Sequence, residues 1–153
     1  MPMKPDSSAA QFARQLLPRL AERFFARGRR AARPNASAAD LHRFRLAAKR
    51  FRYTLELFRP VYGPGLERRM AALRGIQQIL GDANDCATAR QLLLAGRERN
   101  SRYARGAAAF IEERAALLAI QFRDFWTQTF DAPGEQQRWM NYLTRFAGRR
   151  RRS

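Results

Sequence analysis

Valine occurs once in this chain of 153 residues, at Val61, and cysteine and histidine also occur once each, at Cys86 and His42. Scarce strand formers beside abundant Ala, Leu and Arg exclude a sheet-based core. They predict an all-α fold. A lone cysteine allows no internal disulfide and no CxxC metal pair, and fits a reducing compartment such as the cytoplasm. A lone histidine excludes a multi-histidine metal site. No run approaches the ~20 apolar residues of a membrane span, so no membrane insertion is expected, and no charged segment followed by an apolar core marks a secretory signal. Catalytic groupings are also missing: there is no Gly-rich phosphate loop, and Glu112 and Glu113 face different sides of one helix. We therefore expect no enzyme, no cofactor and no bound metal.

Acidic residues are the next shortage. Thirteen of them meet thirty basic ones, a formal net charge of +17, and removing the four arginines at 149–152 lowers it only to +13. The excess belongs to the body of the chain and favours a polyanionic partner, whether polyphosphate, nucleic acid or an anionic surface. Twenty-eight of the thirty cations are arginine, whose planar fork takes phosphate oxygens in pairs. A GC-rich genome would produce the same bias without that purpose.

Residues 1–6 read as a flexible arm, 7–147 as one bundle and 148–153 as an Arg-rich tail, disordered in the free protein. Ser7 or Ser8 caps a first helix running to about Ala26 or Arg27, kinked or restarted at Pro18, and residues 28–36 form a basic loop. The first thirty residues are Arg-rich and amphipathic like a mitochondrial presequence. Asp6, Glu22 and the row Phe12, Leu16, Leu20 and Phe24 argue instead for a bundle helix. Ser37 and Asp40 resemble a capping box ahead of a helix over 41–59, and Pro60 to Gly65 breaks the chain. A third helix starts at Leu66 and stops at Gly81, and a fourth runs from about Ala83 to Arg99, with Asp82, Asn84 and Asp85 favouring its start. A long helix from Arg102 to about Phe130 and a short one from Glu135 to Phe146 complete the bundle.

The helix over 41–59 carries the main functional signal. His42, Arg45, Lys49 and Arg52 fall at offsets 0, 3, 7 and 10, within about an 80° arc and along ~15 Å of axis. Phe44, Ala47, Ala48, Phe51, Leu55 and Phe58 border this row on one side, and Leu46, Tyr53 and Leu57 on the other. A cationic row between two apolar strips should line a groove between helices, whereas a solvated face would look straight out to water. Like charges at i+3 and i+4 cost a few tenths of a kcal/mol each, which Glu56, one turn beyond Arg52, offsets in part. Asp82 and Asp85 could hold a divalent ion, but acids at a helix start need no ion to explain them.

The segments LHRFRLAAKRFRYTLELF and LRGIQQILGDANDCATAR resemble the CHAD family, the conserved histidine α-helical domain, through His42, Arg45, Lys49, Arg50, Arg52, Tyr53 and Glu56, then Arg74, Gln77, Leu80, Gly81, Asn84 and Asp85. The resemblance covers roughly residues 41–90. It implies an antiparallel helical bundle, one repeat of about four long helices plus a short C-terminal helix, that binds inorganic polyphosphate in a basic groove without a reaction of its own. The contacts carried over are His42, Arg45, Lys49, Arg50, Arg52 and Arg74, with Tyr53 and Glu56 as supports. It also implies association with polyphosphate granules. Members usually hold two such repeats about a pseudo-twofold axis, whereas this chain has one, so a symmetric homodimer is expected. The competing reading is a nucleic-acid-binding protein in which the basic loop and tail hold the phosphate backbone.

Overall fold

The structure is a computed structural model and describes residues 7–145 and 147; the predicted arm and tail lie outside the described residues. Four long helices dominate: α1 (Ser7–Ala31), α2 (Ala38–Leu57), α4 (Leu66–Ala95) and α5 (Arg102–Phe125). A one-turn α3 (Arg59–Tyr62) joins α2 to α4, a π-helical turn (Trp126–Phe130) extends α5, and α6 (Glu135–Arg145) follows. Among the described residues there is no strand. The helices are neighbours in the order α6, α1, α2, α4, α5, so α2 lies between α1 and α4.

The core is aromatic. Phe24, Phe25, Phe44, Phe122, Trp126, Phe130 and Trp139 are all buried and pack ring against ring. On α1 the buried face is Ala13, Leu17, Ala21, Phe24 and Phe25. The expected row of Phe12, Leu16, Leu20 and Phe24 is thus displaced by about a third of a turn, and Phe12 is exposed. Pro18 sits inside α1, which remains one helix and runs past Arg27 to Ala31. It can do so because Gly28, read from sequence as a loop residue, lies under the Trp126 ring.

A further boundary differs from expectation. Gly81 does not stop a helix; α4 passes through it as a single element of 30 residues. Leu73, Ile76, Leu80, Ala83 and Ala87 keep one phase across the glycine, and burial against α2 and α5 outweighs the ~1 kcal/mol a mid-helix glycine costs. Asp82, Asn84 and Asp85 are therefore mid-helix, and helix-start electrostatics no longer accounts for them. The capping box at α2 forms as expected: Asp40 N–H donates to Ser37 Oγ at 3.1 Å, and Ser37 N–H donates to Asp40 Oδ2 at 2.9 Å. That backbone N–H, followed by the Arg43 guanidinium, holds the Asp40 carboxyl below the usual carboxylate range.

From Gly81 to Leu117 no described residue is buried, so the outer half of the α4–α5 hairpin stands clear of the core. An Arg90–Glu112 ion pair at 3.3 Å links its two helices. At the opposite end Tyr62 Oη donates to the Leu143 carbonyl at 2.8 Å, and Tyr142 Oη donates to the Tyr62 carbonyl at 3.3 Å. Burial, with the neighbouring Tyr142, raises the Tyr62 phenol well above its ordinary value of 10.0. A phenol raised by folding stabilises fully below the unfolded value and loses that contribution as pH rises. Urea midpoints should therefore fall from about pH 10 upward, and Tyr62→Phe should flatten that limb.

Candidate functional site

The two long grooves of the bundle follow from the position of α2. Its buried residues Phe44, Ala48, Phe51 and Leu55 seat it in the core, leaving one flank toward α4 and the other toward α1. On the α4 flank, Arg45 and Arg52 border an open depression of about 460 Å³ together with Arg74, Gln77, Gln78, Gly81, Asp82 and Asp85. Gly81 has open space where a side chain would start, which keeps the floor accessible. Arg45, Lys49 and Arg52 are all half-buried. The Nε of Arg52 is sealed from solvent and has no protein acceptor, a state shared by the Nε of Arg69, whose guanidinium stacks on Tyr142. Tyr53 collects two of the cations, with Lys49 Nζ 5.7 Å and Arg52 Cζ 5.2 Å from its ring centroid.

His42 stands at the head of the row. Its Nδ1 lies 2.9 Å from Asn84 Oδ1, so the ring donates to α4 there and leaves Nε2 for another partner. His42 and Asn84 also edge a separate apolar cavity of about 430 Å³ walled by Leu41, Leu80, Ala87 and Ile111. Arg74 pairs with Glu67, which also takes Arg59. Arg74, then Arg59, draws the Glu67 carboxyl below its usual range, but all three groups are over two-fifths exposed and such a pair adds little stability.

The structure brings Arg45 and Arg52 together with Arg74 around one depression; Lys49 lies outside its lining, over the Tyr53 ring, and His42 edges the separate apolar cavity. Arg50 stands apart, on the α1 side. Glu56 is exposed and has no ion-pair partner among the described residues. The apolar border expected on both sides of the row is packed on one side only: Leu46, Tyr53 and Leu57 are 37%, 47% and 78% exposed. The row lines the edge of the α2–α4 seam, and its outer side is open. Local sequence did not place Asp82 and Asp85 on the facing wall, because that depends on the antiparallel register of α2 and α4. The signal available was the apolar phase running through Gly81. The donors gathered here suit an anion, and among the described residues no cluster of His, Cys, Asp and Glu fits a metal ion. No described helix is long and apolar enough to cross a membrane.

A family model described as CHAD domain matches residues 2–94. No curated protein and no solved structure matches the chain. The match spans more than half of the sequence and takes in α1, α2, α3 and nearly all of α4, the helices that form the basic seam. On that match the chain belongs to the CHAD-domain family.

Proposed function

We propose that this protein binds inorganic polyphosphate along the α4-facing flank of α2, with Arg45, Lys49 and Arg52 as main contacts, His42 and Arg74 at the two ends, and no reaction of its own. The CHAD family is associated with polyphosphate binding. The observation that carries the reading is the gathering of Arg45, Arg52 and Arg74 around one open depression, with Lys49 beside Arg52 on the Tyr53 ring. Asp82 and Asp85 offset cation repulsion in the free state and would press a phosphate chain toward α2. Such a ligand would place the protein with polyphosphate granules in the cytoplasm.

Capture on polyphosphate beads across a salt series tests this. Binding should weaken steeply and log-linearly with salt. Displacement by DNA or RNA at matched phosphate would favour nucleic acid as the ligand, and Mg²⁺-dependent phosphate release requiring Asp85 would indicate a reaction.

A second copy belongs to the same proposal. Leu46, Tyr53 and Leu57 form an uncovered apolar strip along the open side of the row, and an isologous partner would cover it and close the groove. Light scattering at micromolar concentration should give a dimer mass, and Leu57→Glu should give a monomer. A monomeric wild type would remove the dimer from the proposal.

A further inference from the structure

The α1-facing flank of α2 holds a second basic depression, of about 450 Å³, which the first groove does not use. Arg27 and Arg30 of α1 face Arg43 and Arg50 of α2 across it, above a floor of Ala31, Phe44 and Ala47, and Leu46, on the ridge between the two flanks, forms its outer rim. One carboxylate, Asp40, lies at its edge, already engaged with Ser37 and Arg43. Only a minority of the described arginines pair with acids, among them Arg29 with Asp131, Arg59 and Arg74 with Glu67, Arg90 with Glu112 and Arg138 with Glu135. Arg27, Arg30 and Arg50 have no ion-pair partner among the described residues. Two helices thus hold like charges facing each other in a concave site, an arrangement that an anion stabilises and that repulsion otherwise opposes.

We propose that this α1–α2 depression is a second groove for a linear phosphate chain, so that one protein holds two chains on opposite flanks of α2. Arg43 and Arg50 are seven residues apart, two turns of helix and ~10 Å along the axis, so they meet a polymer at repeated points. Arg27 and Arg30 bind the same stretch from the other wall. The body of α2 separates this set from Arg45 and Arg52, so a single extended segment cannot lie in both grooves. The identity of the polymer rests on the polyphosphate reading of the first groove; the existence of a second site does not.

A sandwich assay separates the two. Protein is bound to polyphosphate beads, and fluorescently labelled soluble polyphosphate is then added. Wild type should carry label to the beads. The Arg27→Ala/Arg30→Ala protein should still reach the beads through the first groove but carry at least about tenfold less label. Circular dichroism checks that it is folded. Both proteins also carry Leu57→Glu, so that a dimer cannot bridge through two first grooves, and undiminished label on the Arg27→Ala/Arg30→Ala variant would overturn the proposal. If Arg27→Ala/Arg30→Ala abolishes bead capture while Arg45→Ala/Lys49→Ala does not, the second groove stands and the first reading fails. Label displaced from the Arg45→Ala/Lys49→Ala protein by single-stranded RNA at matched phosphate would overturn polyphosphate as the occupant.

Discussion

Gly28→Ala should destabilise the protein by about 3 kcal/mol, a large share of the 5–15 kcal/mol typical of a domain. On an exposed helix the same change stabilises by up to ~1 kcal/mol, so the sign itself is diagnostic. A Cβ at Gly28 would lie 2.0 Å from Trp126 Cη2 and within 2.5 Å of two more ring carbons. The indole has no room to retreat, because Phe24, Phe25, Phe44 and Phe130 surround it with ring centroids at 5.1–5.9 Å. Urea denaturation should show the fall in midpoint. Adding Trp126→Phe removes the offending atoms, so the double variant should be more stable than the sum of its single changes predicts. Strict additivity would mean that the two residues do not meet.

Arg45→Ala/Lys49→Ala should weaken long-chain polyphosphate about a hundredfold at low salt, from roughly tenfold for each cation that no longer donates charge-assisted hydrogen bonds to phosphate. The slope of log K against log salt should fall by about one for each cation removed. Arg150→Ala, in the C-terminal arginine run, should have a smaller effect than either single change. Equal losses at Arg45, Lys49 and Arg150 would mean that diffuse charge holds the polymer, and the proposed groove would lose its standing. Because Lys49 and Arg52 share the face of Tyr53, Tyr53→Leu should recover only part of the wild-type affinity: it keeps the charges but loosens their placement.

Much of this was legible in the sequence, and what was not has a common cause. Helix spacing is rigid, so the offsets of His42, Arg45, Lys49 and Arg52 placed them on one flank before any tertiary neighbour was known. The Ser37–Asp40 cap is equally local and formed as read. Glycine misled twice. Gly28 and Gly81 look like helix stops in isolation, yet each lies inside a helix, the first because Trp126 fills the space above it and the second because α4 packs against α2 and α5. The partners that decide these positions are distant in sequence. The exposure of Leu46, Tyr53 and Leu57 escaped for the same reason, since a helical wheel shows which residues share a face but not which faces find a neighbour. Arg50 illustrates the finer limit: it adjoins Lys49 in sequence, and one residue of helix turns it by about 100° toward α1.

The bare outer half of the α4–α5 hairpin has a practical corollary. Residues 97–100 at its tip are exposed, and the buried core begins only at Leu80 and Leu118. A reporter peptide or a whole protein spliced into that turn would be carried at arm's length, its attachment strain absorbed by two helices that the core does not grip. The tip is the natural handle by which this molecule can be labelled, tethered or fused while both flanks of α2 keep their shape.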